Sequence, residues 1–121
     1  MSEKFRILIV DDDAEHRFLY TRLLEEAGYE AQAVEDAEEA LTRLEGQGFD
    51  LLLTDWYMHA LRGDALIVEL RRREIPVKAI LMSSHLHVRH AAQACSADGC
   101  FRKHDDVENL LTLIARLLPV Q

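Results

Sequence analysis

The stretch Asp50-Leu51-Leu52-Leu53-Thr54-Asp55 decides how the rest of the chain is read. Three consecutive leucines between polar residues are too short a run for an ordinary helix core. They suit a strand buried on both faces, as in a parallel sheet covered by helices. The run closes on a carboxylate. In open parallel sheets, ligands bind just beyond the carboxyl ends of the strands. Asp55 therefore stands where chemistry is done, although one strand-terminal Asp alone is an ordinary loop residue.

On the N-terminal side, Phe5-Arg6-Ile7-Leu8-Ile9-Val10 is a second apolar, β-branched run, and it stops at Asp11-Asp12-Asp13. Leu19, Tyr20, Leu23, Leu24 and Ala27 then fall on one face of a helix, with Asp13 as its N-cap and Gly28 at its close. Tyr29–Val34 alternates apolar and polar residues, which places it at a sheet edge with one wet face. Asp36 caps a second helix carrying Ala37, Ala40, Leu41 and Leu44, ended by Gly46 and Gly48.

Beyond Asp55, the loop Trp56–Gly63 leads to a third helix with Leu66, Ile67 and Leu70, for which Asp64 is the expected cap. Arg71-Arg72-Arg73 at its far end reads as cations favoured by the helix dipole rather than as a binding patch. Lys78–Met82 is a fourth strand that ends at Ser83-Ser84. Val88, Ala91, Ala92 and Cys95 mark a fourth helix, with Cys95 in the core. Cys100-Phe101-Arg102 is a short fifth strand ending at Lys103. Val107, Leu110, Leu111 and Ile114 line a fifth helix, closed by Pro119. Strict alternation of five strands and five helices argues for an α/β domain with a parallel sheet and helices on both faces.

A chain of 121 residues supports one core. The formal net charge of −8 disfavours nucleic acid as a direct ligand and suits a cation or a basic protein partner. No run approaches the roughly 20 apolar residues of a membrane helix, and residues 1–4 lead straight into a strand without a signal peptide. Two cysteines without an export signal read as reduced thiols, so the cytoplasm is the expected compartment.

Polar groups follow four of the apolar runs: Asp11, Asp12 and Asp13; Asp55; Ser83 and Ser84; and Lys103. With Gly63 and Gly99, this ordered set resembles the receiver domain of two-component response regulators along essentially the whole chain. The resemblance implies a single receiver domain over 1–121, with a flavodoxin-like (βα)5 three-layer sandwich and strand order 2-1-3-4-5. It implies a phosphoryl switch: Asp55 accepts a phosphoryl group from the phosphohistidine of a histidine kinase or phosphotransfer protein, and later loses it slowly by its own catalysis. It implies Mg²⁺, replaceable by Mn²⁺, held by Asp11, Asp12, Asp55 and the backbone carbonyl of Tyr57. Lys103, the Ser83 hydroxyl and the Ser84 amide would contact phosphoryl oxygens. A downstream output protein or domain is the implied reader, with no membrane contact and at most a weak homodimer. The domain is not expected to be a stand-alone enzyme.

Three departures bear on output. His59 and His104 stand where the family usually has proline, the second of them a cis proline after the lysine. A cis bond before a non-proline residue costs about 2.5–4 kcal/mol, so Lys103–His104 is expected to be trans, with Lys103 displaced or more mobile. Cys100 stands where many receivers carry Tyr or Phe, so the signal is expected to leave by an altered route; Phe101 should face the opposite side of the sheet. The bulk of Tyr57 is expected to shield the site. His59, His85, His87 and His104 are a candidate transition-metal cluster, and His16 and His90 are expected to face solvent. The alternative function is a pseudo-receiver that binds partners without phosphorylation. A phosphatase using Asp11 and Asp13 as a pair needs Thr or Val where the chain has Glu15.

Overall fold

In a computed structural model describing residues 4–58 and 60–119, the apolar runs become five strands: β1 (Arg6–Val10), β2 (Glu30–Val34), β3 (Leu51–Asp55), β4 (Lys78–Ser83) and β5 (Gly99–Arg102). Between and after them lie α1 (Ala14–Glu26), α2 (Ala37–Gly46), α3 (Gly63–Arg72), α4 (Val88–Ala94) and α5 (Val107–Leu117). All pairings are parallel, in the order β2-β1-β3-β4-β5. The expected flavodoxin-like topology is therefore present, with β2 at an edge.

Strand side chains alternate between two cores. Leu8, Val10, Leu52, Ala79 and Leu81 pack with Ala40, Leu66, Ile67 and Ala92 of α2, α3 and α4. Ile7, Ile9, Leu53, Ile80 and Met82 pack with Tyr20 and Leu24 of α1 and with Leu110 and Ile114 of α5. Each fully buried leucine or isoleucine contributes about 1.5–3 kcal/mol. Phe101 belongs to the α1/α5 side and Cys100 packs against the other, as the alternation requires.

Local signals set the helix ends. The Asp13 carboxylate accepts from the N–H groups of Glu15 and His16, and that of Asp36 accepts from Glu39. Gly28, at φ +100°, takes the left-handed turn after α1. Asp64 does not cap α3. The helix begins one residue earlier, at Gly63, with Arg62 in the cap position and no side chain capping it. The Gly63 N–H is already held by the Trp56 carbonyl at 2.8 Å, which ties the start of α3 to the end of β3. Asp64 pairs instead with Arg62. Leu19, expected on the buried face of α1, is half exposed.

Candidate functional site

The register brings the acids together. Val10 pairs with Thr54, so Asp11 and Asp55 each continue neighbouring strands at the point where the strand order reverses. Asp11 is fully buried, Asp55 nearly so, and Asp12 is exposed. Oxygens of all three lie within 4.8 Å of one another, the one grouping of three or more potential metal-ligating side chains among the described residues. Among the described residues, His85, His87 and His104 form no such grouping, so the expected histidine metal cluster is not assembled there; His59 lies outside the described residues.

Lys103 faces this acidic group. Its Nζ donates to Asp11 Oδ2 at 2.8 Å and lies 3.4 Å from Asp55 Oδ1. Among the described residues no peptide bond is cis, so Lys103–His104 is trans as expected. The lysine is nevertheless not displaced: its backbone N–H donates to the Ser83 carbonyl at 3.0 Å and its side chain is 12% exposed. Burial works against its charge, but the Asp11 hydrogen bond and the charges of Asp55 and Asp11 prevail and raise its pKa. Burial pushes the Asp55 carboxyl up to about 6; Lys103 opposes this, Asp11 adds to it, and the hydrogen bond from the Trp56 N–H also opposes it.

A pocket of about 370 Å³ opens over Asp55, lined by His16, Leu19, Tyr20, Tyr57, Ser83, Ser84, Lys103 and His104. Ser83 is buried at the end of β4, and its Oγ accepts from the His85 N–H at 3.0 Å, fixing the start of the β4–α4 loop. Ser84 is exposed. Tyr57, half exposed, stacks on Trp56 with ring centroids 4.6 Å apart, and His85 meets both rings edge-on. A larger hollow of about 510 Å³ at the opposite end of the sheet includes Arg71 and Asp98, but these charges already pair with each other.

One contributor escaped the sequence reading, and another, Gly63, was read there without its physical reason. His16 does not simply face solvent: its Nδ1 lies 3.1 Å from Lys103 Nζ, in the pocket wall. Its place three residues after the Asp13 cap, and one turn before Tyr20, was the available clue. Gly63 is a spatial necessity, because a Cβ there would lie 2.0 Å from the Asp55 carbonyl oxygen. Nearby Ala60 holds φ 68°, a left-handed conformation uncommon for a residue with a side chain.

The acidic group suits a hard divalent cation. Three carboxylates gather beside one ammonium, which pairs with Asp11 and Asp55, and the cluster offers only oxygen ligands, the preference of Mg²⁺.

Fold and site together define a flavodoxin-like α/β domain with an acidic pocket opposite a lysine. The family model for the response regulator receiver domain matches residues 7–115, and the chain belongs to that family. Receiver domains bind Mg²⁺ at such acidic pockets and work with histidine kinases and output domains. The chain is 29% identical over 119 residues to the sensor protein EvgS of Escherichia coli, covering 97% of this chain and 10% of that protein. It is 31% identical over 94 residues to the transcriptional regulatory protein FixJ of Bradyrhizobium diazoefficiens, covering 78% of this chain and 46% of that one. It thus spans from a tenth to just under half the length of these curated relatives. Among solved structures, the response regulator TrrA of Thermotoga maritima, in complex with Mg²⁺ and BeF, superposes with a TM-score of 0.86 at 31% identity, covering 93% of this chain and 98% of that one. A CheY-like receiver domain protein from Methanospirillum hungatei gives 0.87 at 28%, covering 96% and 94%. Among the described residues, no helix is long and apolar enough to cross a membrane.

Proposed function

We propose that this receiver domain, taken as one unit over 1–121, is a phosphoryl switch with Asp55 as the acceptor. The observation that carries this reading is the meeting of Asp11, Asp12 and Asp55 within 4.8 Å, with Lys103 Nζ 3.4 Å from Asp55 Oδ1. An Asp55 oxygen attacks the phosphorus of a phosphohistidine, the P–N bond breaks, and the imidazole leaves with a proton from solvent. The product is an acyl phosphate.

Asp11, Asp12, Asp55 and the Tyr57 carbonyl would hold Mg²⁺, or Mn²⁺ in its place. When bound, the ion supplies positive charge against the phosphoryl oxygens, where most of the catalysis of phosphoryl transfer lies. Lys103 turns its ammonium from Asp55 towards a phosphoryl oxygen. Ser83 can donate its hydroxyl hydrogen to another while still accepting from the His85 N–H, so the β4–α4 loop follows the hydroxyl inward. The Ser84 amide is a further donor. Hydrolysis then restores the carboxylate.

Output is altered at β5. Cys100 is too small for an aromatic rotamer switch on the α4 side, and Phe101 is committed to the other core. The moving part is therefore the loop from Ser83 to His87, read by an output partner, with a histidine kinase or phosphotransfer protein upstream.

The test is incubation with a small-molecule phosphodonor and Mg²⁺. Wild-type protein should gain the mass of one phosphoryl group, mapped to Asp55, and Asp55→Asn should not. No gain by the wild type would favour a module that binds partners without phosphorylation.

A further inference from the structure

We propose that His16 is a positioning residue for Lys103 and thereby sets the rate at which Asp55 is phosphorylated; this rests on Asp55 being the acceptor. An ammonium has three N–H donors and no acceptor. Those of Lys103 face Asp11 Oδ2 at 2.8 Å, His16 Nδ1 at 3.1 Å and Asp55 Oδ1 at 3.4 Å. Because lysine can only donate, this contact uses His16 Nδ1 as its acceptor; the same nitrogen lies 3.5 Å from Asp11 Oδ2 and 3.8 Å from Asp13 Oδ2, so it sits within the acidic group that Lys103 faces.

Both ends of this contact are fixed. The His16 backbone N–H reaches the Asp13 cap at 3.4 Å, and its ring meets the buried Tyr20 ring edge-on at 6.3 Å. At the other end, the Lys103 backbone N–H is held by the Ser83 carbonyl.

The consequence is directional. Asp11 and His16 engage two donors from the α1 side, which leaves the third aimed at Asp55 and at whatever oxygen is attached to it. Without His16 the ammonium keeps the Asp11 and Asp55 carboxylates and is drawn between them. It then stays closer to the Asp55 oxygen that must attack phosphorus, weakening it as a nucleophile. An imidazole nitrogen fixes the lysine without adding a third anion to compete for it.

Phosphorylation by phosphoramidate with Mg²⁺, followed by mass spectrometry at several donor concentrations, tests this. His16→Leu should lower the maximal rate constant about tenfold, the effect of one hydrogen bond to a charged group, with Tm unchanged. His16→Gln, whose side-chain oxygen can accept from Lys103, should recover most of that rate. In a Lys103→Met background, His16→Leu should have no further effect, since its action runs through the ammonium. Wild-type speed in His16→Leu would overturn the proposal. So would a Gln variant as slow as the Leu variant, or a loss that persists undiminished beside Lys103→Met. If the wild type itself gains no phosphoryl group, the assignment of Asp55 fails, an outcome separate from a fast His16→Leu variant.

Discussion

Substituting Gly63 by alanine tests how tightly α3 is seated on the end of β3. The added Cβ would lie 2.0 Å from the Asp55 carbonyl oxygen and 3.0 Å from both the Asp55 carbonyl carbon and the Thr54 hydroxyl. Neither Asp55 atom is the tip of a flexible side chain; both are backbone. The helix start and the end of β3 must therefore part by about 1 Å merely to bring the closest approach to 3.0 Å. The same separation strains the Gly63 N–H bond to the Trp56 carbonyl. Overpacking of this kind costs about 1–3 kcal/mol, which lowers Tm by roughly 5–10 °C for a domain of this size. The chemical effect should be larger. A misplacement of about 1 Å at a reacting group can cost about a hundredfold in rate, and the carboxylate of Asp55 hangs from the displaced residue. Thermal melts and phosphoramidate kinetics on Gly63→Ala measure both. Gly48→Ala is the control, because a Cβ at Gly48 meets nothing within 4 Å. If Gly63→Ala matches that control in both Tm and rate, the close seating of α3 on Asp55 is refuted.

In chelator, Asp55→Asn should stabilise the fold at pH 7.5. The folded carboxyl titrates at about 6, above its usual 3.8, so its protonated form favours the fold; that contribution is full below about 4 and is lost as pH rises through 6. Removing the buried charge should gain about 1–3 kcal/mol at pH 7.5 and little at pH 4.5 in urea melts; equal gains at both pH values would contradict this. Tyr57→Asn should shorten the lifetime of phosphorylated Asp55 several-fold, because the stacked Tyr57 ring rims the pocket; an unchanged rate of phosphoryl loss would remove its shielding role. Asp98→Ala should cost about 1–2 kcal/mol by stranding the Ala79 N–H and Arg71, which both donate to Asp98 Oδ2 at 2.8 Å. Its phosphorylation rate should not change, and a slowed reaction would show the two ends of the sheet to be coupled.

Much of the fold was legible because its strands are nearly pure apolar runs. Leu51–Leu53 and Ile7–Val10 are buried on both faces, so their sequences carry almost no alternation. Edge strand β2 alternates in sequence instead, although Ala31, Gln32 and Ala33 are all half-buried. Asp11, Asp55, Ser83 and Lys103 could be read because each ends such a run. Helical spacing told less. It placed Leu19 with Tyr20 and Leu24, yet Leu19 is half exposed, since the stripe facing the sheet is narrower than the pattern of leucines. The same spacing puts His16 one turn before Tyr20 but cannot say which strand end lies beneath the first turn of α1, so its contact with Lys103, 87 residues away, could not be read from it. Asp64 has the chemistry of a cap, but contact between Gly63 and Asp55 starts α3 earlier.

The chain has a single tryptophan, and it follows Asp55 directly. Its indole lies against Tyr57 and His85, with its N–H buried and unpartnered. The Trp56 backbone N–H bonds the Asp55 carboxylate at 3.0 Å, so the residue that carries the ring is tied to that side chain. Emission from this one residue should therefore serve as a label-free optical signal of what occupies the neighbouring side chain.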